Sequence, residues 1–377
     1  MNKPNNPDEL KVLAKLFLRL GCLGFGGPAV HIAMMEEEVV RKKQWFSQQH
    51  FLDLVGATNL IPGPNSTELT MHIGYERAGR KGLFFAGACF IFPAVVITGL
   101  FAWLYQKYGQ LPQVQPFIYG IKPAILAVIV SLMIGLGKKA LKSVELGVIG
   151  ILAALAVIAG FNEVYVLFAG GILAVLISKI RQPKKTLESI IPLVLLQNSS
   201  WWNDHGCLKL FFIFLKIGSI LYGSGYVLFA FLDSELVARG LLSHQQLVDA
   251  IAVGQFTPGP VFSSATFIGW QIGGMYGAIA ATIGIFLPSF LFVALLNPLL
   301  PKLRSSAIFR TFLDAVNMVS VAIILAVVVE IGKNALSDWR TVSIAALSFV
   351  ISFYFKKFNT AYIILGGALT GYGLSYF

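Results

Sequence analysis

The sequence predicts an all-α polytopic membrane protein with two inverted-topology repeats, about ten transmembrane helices and two re-entrant helical hairpins. Three observations lead to this fold class. Apolar runs of membrane-spanning length recur along the 377 residues, which are 56% hydrophobic and only 12% charged. The chain also repeats itself. Finally, the basic residues occupy different loops in the two copies, which indicates that the copies have opposite orientations.

The internal repeat divides the chain into two halves. Phe17–Gly21 returns as Phe214–Gly218, and Ser47–Pro64 matches Ser243–Pro260 without a gap. Glycines and prolines further along keep an offset of about 195 residues, which indicates an internal duplication. The predicted domains are an N-terminal repeat over residues 1–185, a linker over 186–207 and a C-terminal repeat over 208–377.

Each half is predicted to contain one broken segment and five spans. The first half has a span from Val12 to Met34 interrupted at Gly24–Pro28, a hairpin with arms Ser47 to Ile61 and Pro64 to Tyr75, and spans Gly82 to Tyr105, Phe117 to Leu136, Val144 to Gly160 and Val164 to Ile180. The second half has Leu208 to Phe231, a hairpin from Ser243 to Trp270, and spans Met275 to Leu296, Phe309 to Ile331, Thr341 to Tyr354 and Thr360 to Tyr376.

The hairpins are predicted from the two Pro-Gly-Pro turns, within Ile61–Pro64 and Thr257–Pro260. Proline lacks an amide proton and glycine lacks a side chain, so neither turn can continue a helix. Each arm of about a dozen residues covers roughly 20 Å, which is short of the roughly 30 Å hydrocarbon layer. Because unpaired backbone at membrane depth must be buried in protein or line a cavity, paired broken segments point to a transport site. Ser243 and Gln246 predict a capping box at the start of the second hairpin.

Charge predicts the topology. Arg41–Lys43 and Arg77–Lys81 flank the first hairpin, so both of its ends are expected in the cytoplasm. The second hairpin keeps only Arg239, whereas Lys302, Arg304 and Arg310 occupy a loop whose first-half counterpart has only Lys107. Five crossings per half would invert the second half. The alternative, in which each hairpin is a kinked full crossing, gives six spans per half and parallel repeats.

The helix starts that follow the turns suit a small oxyanion. Free amides at Asn65–Thr67 and at Val261–Ser264 would face the tips, and a helix start carries about half a positive elementary charge. Arg19 and Lys216 add full positive charge at equivalent positions in the first span of each half. A basic residue at membrane depth costs about 2.5 to 3.5 kcal/mol, so a matched pair favours a functional role, although either side chain could reach an interface.

These residues resemble the chromate ion transporter family in its long, two-domain form. The resemblance rests on Gly24–Pro28 (Gly-Phe-Gly-Gly-Pro), Glu36–Glu38, Trp45-Phe46 and Asn59–Pro64, and it covers nearly the whole chain. It implies a multi-pass carrier of the cell inner membrane that extrudes chromate, confers chromate resistance and is coupled to the proton gradient. The second half departs from the pattern because Gly225 stands where Pro28 does, so unequal contributions are expected.

Pattern and resemblance together define the candidate site. The predicted substrate-binding residues are Arg19, Gly24, Gly26, Gly27, Pro28, Asn59, Pro62, Gly63, Pro64, Asn65, Ser66, Lys216, Gln255, Pro258, Gly259, Pro260 and Ser263. Glu68, Asp53 and Asp249 are candidates for proton coupling, because an ionised Glu68 would compete with an anion for the same amides and a protonated one would not. The alternative for Asp53 and Asp249 is a structural pairing with basic or hydroxyl side chains.

Other classes of function are disfavoured. The net charge of +11 is expected to set membrane orientation rather than to bind nucleic acid. No cofactor, metal site or catalytic constellation is predicted, so an enzyme is not expected. The expected partners are chromate or sulfate as substrate and the lipid bilayer, with the chain as a monomer or homodimer. A sulfate carrier and an anion channel stay open as alternatives.

Overall fold

The computed structural model describes residues 7–25, 27–109, 111–181, 206–222, 227–296, 306–355 and 359–374, and these residues are mostly helical. From the first half come α1 (Pro7–Leu23), α2 (Pro28–Glu36), α3 (Gln48–Thr58), α4 (Asn65–Tyr108), α5 (Gln115–Ala140), α6 (Val144–Ile158) and α7 (Glu163–Arg181). From the second half come α8 (Gly206–Ile220), α9 (Val227–Leu232), α10 (His244–Phe256), α11 (Ser264–Leu296), α12 (Ala307–Ala335), α13 (Trp339–Tyr354) and α14 (Thr360–Leu374). The all-helical class is confirmed, whereas Gly26 and most of the predicted linker 186–207 lie outside the described residues.

Apolar helices dominate the described part of the chain. By length and composition, 5 helices can cross a membrane, in α4, α5, α7, α11 and α12. Three shorter apolar helices are Val144–Ile158, Trp339–Tyr354 and Thr360–Leu374. The sequence forms these helices because apolar residues run through them with charges collected at the ends, which is typical of a membrane protein.

Both α4 and α11 consist of two helices joined by a sharp kink. At Ala78 and Gly79 the backbone leaves helical geometry, with Gly79 at φ 61°, and α4 divides into α4a (65–77) and α4b (80–108). At the kink the two parts touch, since a Cβ on Gly74 would lie 2.3 Å from the carbonyl oxygen of Gly82. An equivalent kink at 273–274 divides α11 into α11a (264–272) and α11b (275–296). In each half, the predicted end of the hairpin arm (Tyr75 or Trp270) and the predicted start of the next span (Gly82 or Met275) therefore lie on either side of the kink.

The predicted hairpin is formed by α3 and α4a. His50 near the start of α3 has its Nε2 atom 4.0 Å from Oε1 of Glu76 near the end of α4a, so the two ends of the hairpin lie together. In the second half, the capping box of Ser243 and Gln246 begins α10 as predicted. A hairpin, rather than a kinked crossing, is thus the geometry of the first Pro-Gly-Pro segment.

The first predicted span is corrected by the structure. Instead of one interrupted span from Val12 to Met34, α1 and α2 fold back on each other, and α2 continues as a π-helix (Glu37–Lys42). Arg77 donates a hydrogen bond to Glu9 near the start of α1, and its guanidinium also lies 4.7 Å from the ring centre of Trp45, just beyond the π-helix. The reversal follows from Gly27, at φ 83°, and Pro28, which begins a new helix.

The span predicted from Leu208 to Phe231 is corrected in the same way, since α8 ends at Ile220 and α9 begins at Val227. A second π-helix (Asp233–Val237) follows α9, as one follows α2. Each half therefore starts with a broken helical segment in addition to its Pro-Gly-Pro hairpin.

The two halves are intertwined. The ring of Phe84, early in α4b, lies 5.8 Å from that of Phe290, late in α11b. At the other end of α4b, Gln106 accepts a hydrogen bond of 2.8 Å from Nε1 of Trp270, just before α11b. These two equivalent helices therefore run antiparallel. Around them α5, α6 and α7 pack against α12, and α5 also packs against α13 and α14.

Candidate functional site

The first Pro-Gly-Pro turn is buried against the second half of the chain. Residues 61–64 are all buried. Gly63 has φ 139°, and its amide donates a hydrogen bond of 2.8 Å to the carbonyl oxygen of Leu221, at the break after α8. The turn thus meets the broken segment of the other half, inside the protein rather than at its rim.

The second turn makes the reciprocal contact. Residues 257–260 are buried, Gly259 has φ 90°, and its amide donates a hydrogen bond of 2.8 Å to the carbonyl oxygen of Gly24, at the break after α1. A Cβ on Gly259 would lie 2.8 Å from that of Ala94 in α4b. Each turn therefore bonds to the break of the opposite half.

A buried carboxylate lies against the first turn. Glu68 is fully buried, and its Oε1 atom accepts a hydrogen bond of 3.3 Å from Oγ of Ser289 in α11b. A Cβ on Gly63 would lie 2.2 Å from that same Oε1 atom, so only glycine leaves room for the carboxylate at the tip. Among the described residues Oε2 of Glu68 has no hydrogen-bond partner, and neither has the hydroxyl of the adjacent Thr67. Unpartnered buried polar atoms call for a ligand, an ion or water.

The second turn is lined by hydroxyl groups instead. Thr98 of α4b donates a hydrogen bond of 3.1 Å to Oγ of Ser263 and lies 3.5 Å from Oγ1 of Thr257. Gln255, one turn before the tip, is buried, and its Nε2 has no partner within the described part of the chain. The two turns therefore differ chemically, as the departures between the halves predict, because only the first carries an acid.

Fewer amides are free at the helix starts than predicted. The amide of Thr67 donates to the carbonyl oxygen of Pro64 at 2.8 Å, and that of Ser263 donates to Pro260 at 2.9 Å. The amide of Ser264 donates to the carbonyl oxygen of Val261. The expectation of free amides at these three positions is wrong, because the first turn of each helix tightens to an i→i+3 pattern. Among the backbone hydrogen bonds of the described residues, the amides of Asn65 and Ser66 have no acceptor. Asn65 also donates through its side chain to Asn59 at 2.9 Å, and Asn59 is exposed.

His31 is a buried residue of the site that the sequence reasoning missed. Its Nε2 atom lies 2.8 Å from the carbonyl oxygen of Gly24, and its Nδ1 atom lies 3.2 Å from Oγ of Ser66. The ring also meets Phe90 edge-on at 5.3 Å. A Cβ on Gly24 would lie 2.7 Å from the ring, so Gly24 is required for this approach. The only signal in the sequence is position, three residues after Pro28, and a single histidine in an apolar helix is usually structural.

Arg19 and Lys216 are placed in ion pairs rather than at the turns. Arg19 lies 2.6 Å from Glu38 of the first π-helix, and Lys216 lies 2.6 Å from Glu235 of the second. The same glutamates also pair with a basic residue four positions later: Lys42, at the end of the first π-helix, lies 2.9 Å from Glu38, and Arg239, two residues beyond the second π-helix, lies 2.8 Å from Glu235. The three members of each triad occupy equivalent positions in the two halves.

The electrostatics of the first triad follow from these contacts. Burial raises the pKa of Glu38, but hydrogen bonds and charge from Lys42 and Arg19 outweigh burial and hold it below its ordinary value. Each triad thus ties the first helix of its half to the π-helix beyond the break.

The two candidate aspartates are in different surroundings. Asp53 is exposed and accepts a hydrogen bond of 3.4 Å from Gln49. Asp249 is buried, accepts a hydrogen bond of 2.6 Å from the Tyr105 hydroxyl and lies 3.8 Å from Nζ of Lys122. For Asp249 the structure therefore provides the basic and hydroxyl partners of the structural alternative. Within the described ranges no group of three or more His, Cys, Asp or Glu side chains could hold a metal ion.

Comparison with known proteins gives a family. A family model described as chromate transporter matches residues 12–175 and 208–372, one match in each half. The chromate transport protein of Cupriavidus metallidurans is 29% identical over 98% of this chain and 98% of its own length. A probable chromate transport protein of Synechococcus elongatus is 29% identical over 96% of this chain and 95% of its own. The chromate transport protein of Pseudomonas aeruginosa is 28% identical over 94% and 90%. No solved structure matches the chain.

Proposed function

The chain belongs to the chromate transporter family, and from that premise we propose that it is a secondary active transporter that carries chromate across the cell inner membrane. The observation that carries the proposal is the reciprocal contact of the two turns, Gly63 with Leu221 and Gly259 with Gly24. It brings helix starts, hydroxyl groups and unpartnered polar atoms together inside the protein. Such a cluster of donors can replace the water around a tetrahedral dianion.

The architecture proposed for transport has two halves of opposite orientation. Antiparallel packing of α4b and α11b supports an approximate two-fold axis in the membrane plane. Among the described residues, the crossing helices in this proposal are the eight apolar ones, α4b, α5, α6, α7, α11b, α12, α13 and α14. The broken segments α1–α2 and α8–α9 join the two Pro-Gly-Pro hairpins as re-entrant elements, so the described residues supply fewer crossings than the ten expected from sequence. Because α4b, α5, α6 and α7 are four crossings, α7 ends at the face where α1 begins, and the opposite orientation of the second half requires α8 to begin at the other face.

The anion is proposed to bind at the start of α4, where the amides of Asn65 and Ser66 have no backbone acceptor among the described residues. In the present arrangement the carboxylate of Glu68 lies against Gly63 of the turn, which is two residues before Asn65. Binding of a dianion there requires that the carboxylate be protonated or move away. A proton and an anion therefore bind together at this site.

Efflux is the proposed direction, giving chromate resistance. A dianion that leaves with one proton carries one net negative charge outward. A membrane potential that is negative inside favours this movement by about 2.3 kcal/mol per 100 mV. The pH gradient opposes it, so the potential supplies the driving force. The tightly packed turns, in which an added Cβ would collide with protein, support a carrier rather than an open channel.

Transport into liposomes tests the proposal. Purified protein should accumulate chromate with saturation, and inverted membrane vesicles should take it up in response to an imposed potential. Sulfate is the competing substrate, because it is a tetrahedral dianion of nearly the same size and the same donors suit it. Saturable sulfate uptake without chromate uptake would identify a sulfate carrier, and single-channel currents would identify an anion channel. Growth on chromate with and without expression gives the direction.

A further inference from the structure

His31 connects two parts of the site that are distant in sequence. It lies in α2, it is 2% exposed, and its two ring nitrogens face the Gly24 carbonyl oxygen at 2.8 Å and the Ser66 hydroxyl at 3.2 Å. The Gly24 carbonyl also accepts from the amide of Gly259. One imidazole therefore links the break after α1, the second turn and the start of α4.

The chemistry of these partners fixes the tautomer of the neutral ring. A carbonyl oxygen can only accept, so Nε2 of His31 must carry the proton that it donates to Gly24. The other nitrogen, Nδ1, is then an acceptor, and the hydroxyl of Ser66 donates its proton to it. While His31 is neutral, Ser66 therefore has no proton left to donate to a ligand.

Protonation of the ring reverses the second hydrogen bond. In the imidazolium both nitrogens donate, so Nδ1–H donates to Oγ of Ser66 and the hydroxyl proton of Ser66 is released. Ser66 is the second residue of α4, beside the acceptor-less amides and beside Thr67, whose buried hydroxyl has no partner within the described chain. The released proton becomes one more donor at the place proposed for the anion.

We propose that His31 is a proton-operated positioning residue of the anion site, which makes the hydroxyl of Ser66 available to the anion when the ring is protonated. The inference rests on the proposed function and deepens it by naming His31, besides Glu68, as a group that can hold the one proton that travels with the anion. An imidazolium beside a helix N-terminus is opposed by the helix dipole and by burial. A bound anion offsets both penalties by its attraction for the imidazolium, so the proton and the anion each favour binding of the other.

The pairing of His31 with Ser66, which we call the relay, belongs to the first half alone. Leu228 holds the place equivalent to His31 and is fully buried, and Phe262 holds the place two residues after Pro260 that Ser66 holds after Pro64. An apolar pair cannot relay a proton. The second turn therefore contributes donors that do not depend on pH.

Charged groups on the elements around His31 are already engaged. On α1, Arg19 pairs with Glu38 at 2.6 Å. On α4a, Glu68 accepts from Ser289 at 3.3 Å. The second turn, which shares the Gly24 carbonyl, carries no charged side chain, and α4b presents the Phe90 ring. The positive charge of a protonated His31 is thus balanced by the bound anion rather than by a neighbouring carboxylate.

Proton uptake on anion binding tests the relay. The purified full chain is titrated calorimetrically with sulfate, which stays a dianion between about pH 6 and 8, in buffers of different ionisation enthalpy. The wild type should take up protons as it binds. His31→Gln keeps a donor for the Gly24 carbonyl but cannot be protonated. Ser66→Ala removes the hydroxyl that accepts the hydrogen bond from the protonated ring. His31→Gln, Ser66→Ala and the double variant should each lose the same part of the proton uptake. Lowering the pH should also increase their affinity for sulfate about tenfold less than it increases that of the wild type, which is the factor for one hydrogen bond to a charged group.

Other outcomes overturn the relay. Wild-type proton uptake in His31→Gln would exclude His31, and normal uptake in Ser66→Ala beside reduced uptake in His31→Gln would exclude Ser66. If His31→Gln does not fold, nitrogen NMR of labelled histidine in the wild type decides. The His31 ring should carry its proton on Nε2 without anion and on both nitrogens when saturated, and an unchanged ring would contradict the relay. A wild type that binds neither sulfate nor chromate would overturn the proposed function itself. Normal anion binding by the wild type, together with His31 variants whose proton uptake equals that of the wild type, would overturn only the relay.

Discussion

The amide of Gly259 in the second half donates a hydrogen bond of 2.8 Å to the carbonyl oxygen of Gly24 in the first half. Gly63 and Leu221 make the same bond with the halves exchanged. Either turn moves only if the break of the other half moves or the bond is lost. Reciprocal bonds of this kind couple the two halves at the site. A carrier that alternates between an inward-facing and an outward-facing state requires such coupling.

Alanine at the turn glycines should abolish transport. A Cβ on Gly63 would lie 2.2 Å from Oε1 of Glu68, a Cβ on Gly259 would lie 2.8 Å from that of Ala94, and both glycines have positive φ. The backbone strain alone is about 1 to 3 kcal/mol. We expect chromate uptake by Gly63→Ala and by Gly259→Ala to fall at least about tenfold. Gly135→Ala is the matched control, because nothing lies within 4 Å of its Cβ position. Equal uptake by the three variants would contradict the site.

Glutamine at Glu68 should separate anion binding from proton binding. Transport by the wild type should decrease as the pH rises, since an ionised Glu68 opposes the anion at the first turn. In Glu68→Gln transport should persist at higher pH, and the pH dependence that remains should be that of His31. Glu163→Gln is the control, because Glu163 is a buried carboxyl group at the start of α7 whose side chain hydrogen-bonds Ser234 of the second π-helix. A pH profile of Glu68→Gln that coincides with the wild type would remove Glu68 from the coupling.

The buried ion pair of Asp249 and Lys122 should contribute to stability, whereas Asp53 should not. Removal of one partner of a buried pair costs about 3 to 5 kcal/mol, because the other charge is left uncompensated. We expect Asp249→Ala to lower the Tm of the purified protein strongly, and the double variant Asp249→Leu with Lys122→Met to recover most of the loss. Asp53→Ala is the matched control at the equivalent, exposed position. Similar Tm losses for both single aspartate variants would contradict this assignment.

The triad around Glu38 should make stability depend on pH in one direction. The pKa of Glu38 is lower in the folded protein than its ordinary value of 4.5. Its contribution to stability is therefore complete above that value and is lost as the pH falls through the lowered pKa. The Tm difference between wild type and Glu38→Gln should shrink as the pH is lowered below the ordinary value of 4.5 and through the lowered pKa of Glu38. Glu37→Gln, at a more exposed carboxylate of the same π-helix, is the control. A Tm difference that does not change with pH would show that the triad contributes nothing through ionisation.

Local chemistry explains which features the sequence predicts. Pro-Gly-Pro breaks a helix wherever it occurs, so the turns, and from their flanking charges the hairpin of α3 and α4a, follow from the chain itself. The partner of Gly259 cannot be predicted in this way, because Gly24 is far away in sequence and no side-chain pattern marks a backbone acceptor. Arg19 was predicted to serve the anion, since the sequence shows its charge but not the approach of Glu38. The fold-back of α1 and α2 was missed because an apolar run with glycines fits a kinked span equally well.

Cysteine labelling tests the proposed topology. Lys81 lies just after the first kink and Met275 just after the second, and both side chains are exposed. Basic residues around the first kink predict a cytoplasmic position, while Trp270 beside the second kink bonds to Gln106 at the far end of α4b. In a chain with its native cysteines replaced by serine, Lys81→Cys should therefore react with an impermeant maleimide only from the cytoplasm, and Met275→Cys only from outside. Parallel halves would place both on one side, so labelling of the two variants from the same face would exclude the two-fold axis in the membrane plane.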